Sequence, residues 1–376
     1  MKKTKRFHAL DSFRGLCALS VVVFHLHVAN SVTELQFFRN AEIFVEFFFV
    51  LSGFVLAHAY DAQQELDFRR FFVARSFRLL PLHLFVLAVV IILELAKLAA
   101  AHAGAHFNTP PFSGSTALSE LVPNALLFQA WTPWTENLSF NYPSWSISIE
   151  YYMYLIFACT MLLSHAKRHI LWIFISVSFF SLLYFDLHFP TVYAARGLSC
   201  FFAGALALLF FRNMQGKIRP NMIALSLLEA ALLITIIAEL SLTPKVDTLL
   251  CSILFCCCTI VFAFEEGLIS KILQKKFFLF LGRISFSIYL IHTTVIFFSM
   301  LPFNLAQKIT GAPLIETIGE LKVLDLGSSI LNNLSVAFVL ILVVIISHFT
   351  YTYIELKGQE MGKRIINKPT QSAKPI

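Results

Sequence analysis

Charge is what this sequence has least of. Asp, Glu, Lys and Arg make up 14% of its 376 residues against 58% hydrophobic ones, whereas a soluble globular chain carries about 25% charged residues. That shortage, with a mean hydropathy of +0.75, excludes an ordinary soluble domain and identifies an integral membrane protein. Cysteines in loops are also missing. All seven, Cys17, Cys159, Cys200, Cys251, Cys256, Cys257 and Cys258, fall inside apolar runs, with no partner at disulfide or metal-site spacing. Consecutive helical residues point about 100° apart, so the run Cys256–Cys258 cannot converge on one ion, and no metal is expected. The basic opening MKKTKR leads into an apolar run that lacks a small-residue cleavage site, so this run reads as a first span instead of a discarded signal peptide. No internal repeat is evident, and no soluble domain is expected at either end.

What is present is a series of apolar runs spread over the whole chain. Taking about 20 residues per crossing, the runs predict an all-α integral membrane fold of about ten transmembrane helices, near 9–29, 41–60, 79–102, 144–163, 170–187, 194–211, 221–240, 247–264, 277–301 and 330–353. Residues 1–356 form the expected membrane domain, and 357–376 a short basic tail. The net charge of +7 does not point to nucleic acid, because its distribution follows topology. Alternate loops hold Lys2, Lys3, Lys5, Arg6, Arg69, Arg70, Arg75, Arg78, Lys167, Arg168, Arg212, Lys217, Arg219, Lys271, Lys275, Lys276 and the basic tail. The opposite side holds only Arg39, Lys245, Lys308 and Lys322. By the positive-inside rule both termini are cytoplasmic. Residues 121–130 are too short to cross and are expected to be re-entrant or interfacial within the outer loop 103–143.

The first span carries the chemistry. In ALDSFRGLCALSVVVFHLHV (9–28), Arg14 and His25 are eleven positions apart, so they lie about 20° apart around the axis with about 16 Å of rise. Asp11 precedes Arg14 on the same face, where an i,i+3 pair offsets desolvation. A charge at mid-helix costs about 2.5–3.5 kcal/mol on the insertion scale, so this face looks into protein or water. Depth then sorts the other polar residues into two layers. An inner cationic layer holds Arg14 and Arg283 and continues into Arg69, Arg70, Arg75 and Arg78. An outer layer holds His25, Glu150, Ser148, Arg196, Tyr289 and His292. His27 lies on another face and reads as a core histidine; Glu46, Glu94 and Glu229 read as polar residues at helix interfaces. Ser52-Gly53 reads as a close-packing point.

Taken together, LDSFRGLCALSVVVFH (10–25), FFFVLSGFVL (47–56), FVARSFRLLP (72–81), PSWSISIEYYMYL (143–155), ARGLSCFFAGALAL (195–208) and LGRISFSIYLIH (281–292) resemble the acyltransferase 3 family of multi-pass membrane O-acyltransferases, in the family's order and over nearly the whole chain. Phe286 stands where a Tyr is frequent, and Lys357 follows Glu355 where a Pro is common.

The resemblance implies transfer of an acyl group, most often acetyl, from cytoplasmic acyl-CoA to a hydroxyl of an extracytoplasmic or lipid-linked glycan, at the cell (inner) membrane. It marks His25 and Arg14 as catalytic with Glu150 beside them. Arg69, Arg70, Arg75, Arg78 and Arg283 are expected to bind the donor, and Ser148, Arg196, Tyr289 and His292 the acceptor. His25 would act as general base or take the acyl group itself. The fused SGNH-type hydrolase domain of some members is not expected, which leaves direct transfer or a separate extracytoplasmic transferase as partner. The alternative reading is a transporter of a small anionic or glycan-like substrate, which would be expected to show inverted repeats.

Overall fold

The computed structural model describes residues 6–62, 66–215, 217, 221–318 and 321–367. Lys2, Lys3, Lys5, Arg219, Lys368 and Lys374, which contribute to the expected orientation, lie outside these residues, as does the end of the basic tail. The chain is mostly helical, at 76%. In order the helices are α1 (His8–Phe24), α2 (Gln36–Arg39), α3 (Phe44–Tyr60), α4 (Phe68–His102), α5 (Leu121–Ala125), α6 (Ser144–Thr160) and α7 (His165–Tyr184). They continue with α8 (Val192–Gln215), α9 (Met222–Leu242), α10 (Thr248–Phe262), α11 (Leu268–Leu273), α12 (Lys276–Thr310), α13 (Ser329–Thr350) and α14 (Leu356–Asn367).

Among the described residues, seven helices are long and apolar enough to cross a membrane: Ala41–Tyr60, Phe68–His102, His165–Tyr184, Val192–Gln215, Met222–Leu242, Lys276–Thr310 and Ser329–Asn367. The other three predicted spans coincide with α1 and α6, of 17 residues each, and α10, of 15 residues. These are shorter, and α1 and α6 carry the polar residues described below.

Local chemistry fixes the helix ends. Asp67, Asn221, Asp247 and Ser328 each accept a hydrogen bond from a backbone N–H of the first turn of α4, α9, α10 and α13, satisfying donors that have no partner within the helix. Gly311, at φ 73°, ends α12 in the left-handed conformation that glycine adopts without a Cβ penalty.

Three boundaries differ from the sequence reading. α4 begins at Phe68 instead of 79 and runs through Pro81, so Arg75 and Arg78 sit on a helix. α12 continues through Pro302 to Thr310. Both prolines lack an N–H, and neighbouring helices let a membrane helix tolerate that loss. α1 stops at Phe24, five residues early, because the chain turns to meet a two-stranded hairpin, β1 (Ile315–Ile318) with β2 (Leu321–Leu324). This hairpin is a strand element that the all-α reading did not anticipate.

Two helix pairs frame the interior. α1 lies along α12, where Gly15 and Gly282 bring the backbones together: a Cβ on Gly15 would stand 2.7 Å from the Gly282 nitrogen. α3 lies along α8 in the same way, with Gly53 against the Phe201 carbonyl and Gly204 against the Val50 carbonyl. Small residues let membrane helices approach closely, as the Ser52-Gly53 pair suggested. After α13 a π-helical turn, Tyr351–Glu355, leads into α14. That helix packs back on α4, with Gly358 against Pro81 and Gly362 against Phe77.

The segment 121–130 folds over the start of α6. The Asn124 side chain donates to the Ser139 carbonyl, and the Asn124 backbone carbonyl meets His83 Nε2 at 2.8 Å. Gln129 donates to Ser144 Oγ.

Candidate functional site

α1, α3, α4 and α6 border a cavity of about 360 Å³ whose lining includes Arg6, Asp11, Arg14, Ser52, Arg75, Arg78 and Tyr154. A narrower cavity of about 50 Å³ adjoins it across Arg14, Ser52 and Arg78, and is bounded by Glu150, Ser146, Ser285 and Tyr289. The larger space is a cationic vestibule; the smaller leads from it toward the far end of α1.

Helical spacing sets the Arg14 side chain. Asp11 Oδ1 lies 3.6 Å from its terminal nitrogen, the predicted i,i+3 pair, and Arg6 Nε donates to the other Asp11 oxygen at 2.5 Å. Arg14 Nε donates to Ser285 Oγ at 2.9 Å, and a terminal nitrogen donates to the Gly282 carbonyl. The glycine contact between α1 and α12 is what lets the guanidinium reach across.

Arg75 and Arg78 differ from it. The Nε of each is buried with no hydrogen-bond partner among the described residues. Arg75 instead lies over the rings of Tyr60, Phe71 and Tyr154, at 5.8, 5.7 and 5.3 Å, a cation–π arrangement that orients the fork without using its donors. Unsatisfied buried guanidinium N–H groups beside a cavity are a binding surface for an anion.

Glu150 faces the narrow cavity. Ser52 donates to its Oε1 at 2.6 Å, and Tyr154 donates to the same oxygen. Tyr154 is four residues on, one helical turn away, so spacing alone would have paired it with Glu150. Beyond Glu150, Ser146 Oγ donates to the Tyr289 hydroxyl at 2.7 Å.

One turn past Tyr289, His292 meets His25: Nε2 of His292 lies 3.1 Å from Nδ1 of His25. The hydrogen-bond pattern assigns the protons. Nδ1 of His292 faces the Tyr289 carbonyl at 2.6 Å and must donate there, which leaves its Nε2 as acceptor. Nδ1 of His25 lies 3.0 Å from the Val21 carbonyl as well as near His292, so it carries the proton. His25 Nε2 is then a lone pair, and it is buried without a partner. A histidine held in one tautomer with a free basic nitrogen can take a proton or attack an electrophile.

Tyr142 stacks edge-on beside His25, with ring centres 5.2 Å apart. Burial, aided by the nearby Glu42 carboxylate, pushes its phenol up to about 12, so it remains an O–H donor at neutral pH. The sequence reading missed it, because a loop tyrosine carries no periodicity to place it.

The structure therefore brings together Arg14, His25, Arg75, Arg78, Glu150, Tyr289 and His292, and separates the rest. Arg69 and Arg70 are exposed and do not line the vestibule; Arg70 pairs with Asp67 at 4.0 Å. Their positions on α4 turn them outward once the helix runs back to Phe68. Arg283 is exposed on the opposite side of α12 from Ser285, in a separate recess with His8 and Lys276. Ser148 is fully buried and turned to the covering segment, donating to the Leu127 carbonyl and accepting from Ala130 N. Arg196 is held by Glu46 at 2.5 Å and Glu42 at 3.2 Å, over the Trp145 ring. Glu94 and Glu229 also serve packing, accepting from the backbone of Phe112 and of Ile269 and Ser270.

A family described as an acyltransferase domain matches residues 7–353. Acyltransferase MdmB of Streptomyces mycarofaciens is 34% identical over 168 residues, which cover 40% of this chain and 38% of that protein. Protein 2 in the picA locus of Rhizobium radiobacter is 39% identical over 93 residues, 23% of this chain and 44% of that one. The matched stretch thus spans less than half the length of either relative. ORF330 of Acidianus two-tailed virus, which carries an acetyltransferase name, is 24% identical over 291 residues, 75% of this chain and 81% of that protein. No solved structure matches the chain.

Proposed function

The chain belongs to the acyltransferase 3 family, and from that premise we propose that this multi-pass membrane acyltransferase moves an acyl group, acetyl in the first instance, from acyl-CoA to a hydroxyl of a glycan or lipid-linked acceptor. In this reading ten helices cross the inner membrane, both termini are cytoplasmic, and donor and acceptor approach from opposite ends of α1. The observation that carries it is a polar line from Arg75 and Arg78, past Arg14 and Glu150, to Tyr289, with the His292–His25 pair one helical turn beyond.

CoA phosphates dock on the free donors of Arg75 and Arg78, whose planar forks match phosphate oxygens. The pantetheine arm runs from the vestibule along α1, and the about 16 Å from Arg14 to His25 is comparable to its extended reach. At the far end His25 Nε2 accepts the proton of the acceptor hydroxyl. The hydroxyl oxygen attacks the thioester carbon, the C–S bond breaks, and the CoA thiolate leaves, with the proton returned to it through the imidazole. Tyr142 and Tyr289 supply O–H groups for the developing oxyanion. A second route has the free Nε2 attack the thioester first and pass the acyl group on.

The test is thiol release from acetyl-CoA by the protein in liposomes with a crude envelope glycan fraction. His25→Ala is expected to lower glycan-dependent release by about 10²–10⁴-fold, the usual worth of a general base, with acetyl-CoA affinity kept. Absence of acetyl-CoA binding in the wild type overturns the donor assignment. A base-labile acyl adduct on His25 would select the second route.

A further inference from the structure

A residue that lines neither cavity braces the histidine pair. Asn141, in the turn ahead of α6, is 3% exposed and reaches across to α12. Its Nδ2 donates to the Leu290 carbonyl at 3.0 Å, and its Oδ1 accepts from Thr293 Oγ1 at 2.9 Å. Of the two amide atoms only Nδ2 can pair with a carbonyl oxygen, so Oδ1 is the atom that faces Thr293, and the hydroxyl gives it its one hydrogen. These contacts fall on either side of His292. Asn141 is itself held: its backbone carbonyl accepts from Ser144 N at 2.9 Å and from Ser144 Oγ at 2.6 Å, and Gln129 Nε2 donates to that Ser144 oxygen at 3.1 Å. The next residue, Tyr142, packs against the His25 ring, so one dipeptide braces both members of the pair.

The Thr293 contact decides a competition. A helical threonine commonly turns its hydroxyl back onto the carbonyl three or four residues before it. Thr235, Thr259, Thr310 and Thr352 all do so in this chain, donating four residues back at 2.8–2.9 Å. For Thr293 that carbonyl belongs to Tyr289, the one to which His292 Nδ1 donates at 2.6 Å. An interior helical carbonyl uses one lone pair on the N–H four residues ahead, so the Tyr289 carbonyl has one left, within reach of both the Thr293 hydroxyl and the His292 imidazole. By holding the hydroxyl, Asn141 removes the competitor.

We propose that Asn141 is a positioning residue for the histidine pair: it reserves the Tyr289 carbonyl for His292 Nδ1, keeps His292 Nε2 an acceptor, and so holds the His25 proton on Nδ1 with Nε2 free. The inference rests on the acyl-transfer reading above, in which that Nε2 is the base, and adds a residue that acts through His292. With the Tyr289 carbonyl taken by Thr293, His292 would carry its proton on Nε2 and donate to His25 Nδ1. His25 would then be protonated on Nε2, the nitrogen that the reaction needs free.

The test is ¹⁵N NMR of the histidine-labelled full chain in nanodiscs, which tells a protonated imidazole nitrogen from an unprotonated one, with glycan-dependent thiol release from acetyl-CoA measured on the same samples. The His292 signals are identified by their loss in His292→Gln. In the wild type His292 should be protonated on Nδ1. Asn141→Ala should shift it toward the Nε2 form and lower turnover by about 10- to 100-fold with KM for acetyl-CoA kept, since misplacing a reacting group costs up to about 100-fold. Asn141→Ala/Thr293→Val lacks the competing hydroxyl and should return both the spectrum and the turnover to the wild-type state, a rescue that a merely structural Asn141 would not show. A wild-type spectrum in Asn141→Ala, or a double variant that stays like Asn141→Ala, overturns the inference. The expected spectra without thiol release in the wild type would bear out the positioning role, and the acyl-transfer reading alone would fail.

Discussion

Two groups of arginines in this protein carry the same charge and reach opposite ends. Arg14, Arg75 and Arg78 border a cavity, and the last two keep buried Nε donors unmatched. Arg196, Arg168 and Arg212 are consumed by carboxylates: Arg196 by Glu46 and Glu42, the other two by Asp61 at 2.9 and 3.0 Å. The closed group ties helices together, Arg196 joining α8 to α3, and Arg168 and Arg212 joining α7 and α8 to the end of α3. The open group has protein on one side and space on the other. What separates Arg75 and Arg78 from the closed group is that, among the described residues, no carboxylate occupies their forks; Arg14 keeps Asp11 at 3.6 Å and still faces the cavity.

The sharpest way to break the contrast is to remove one member of the closed group. Arg196→Met leaves the fully buried Glu46 carboxylate without its partner, and breaking such a pair costs about 3–5 kcal/mol. A large fall in thermal stability is expected, recovered in the double variant Arg196→Met/Glu46→Leu, while the affinity of the folded fraction for acetyl-CoA holds. A loss of that affinity with stability intact would move Arg196 to the open group.

The reciprocal change, Arg78→Met, is expected to leave thermal stability near wild type and to weaken acetyl-CoA binding by about 10- to 100-fold, since a hydrogen bond to a charged group contributes about 1.5–3 kcal/mol. Titration of the purified variant checks it, and unchanged affinity would contradict the vestibule's assigned role.

Ser148→Ala bears on a residue that the sequence placed beside the acceptor and the structure turns toward Leu127 and Ala130. A loss of about 1 kcal/mol of stability is expected, with acyl transfer unaltered per folded molecule; a fall in the turnover rate would return the hydroxyl to the site. The smallest effect belongs to Arg69→Ala/Arg70→Ala. Both side chains are exposed and away from the vestibule, so stability should change by no more than about 0.5 kcal/mol and acetyl-CoA affinity should not change. A tenfold weakening would show that the phosphate site extends to the first turn of α4.

Helical period placed Asp11 and Arg14, which pair at i,i+3 as expected. Arg75 and Arg78, read as lying ahead of a span that begins at 79, line one vestibule because α4 starts at Phe68. Misplacements occurred where depth stood in for contact. Arg283 and Ser285 share a depth on α12, yet only Ser285 faces Arg14, because two residues apart on a helix point about 200° apart. Ser148 and Glu150 diverge on α6 for the same reason. The hairpin was invisible because two four-residue strands in an apolar protein present no pattern that a short loop would not also present.

By itself, the amino-acid sequence determined the membrane class, the order and placement of the long helices, the shared face of Arg14 and His25, and the acyltransferase family. Each follows from local hydropathy, from the 3.6-residue period or from motifs read along the chain. Only the tertiary structure decided that His292, 267 residues away, would fix the tautomer of His25, that Glu46 would claim Arg196, and that Asp61 would claim Arg168 and Arg212. Which helix lies against which depends on the backbones that Gly15, Gly53, Gly204 and Gly282 allow to approach. That choice is made by packing over the whole bundle, and no local spacing encodes it.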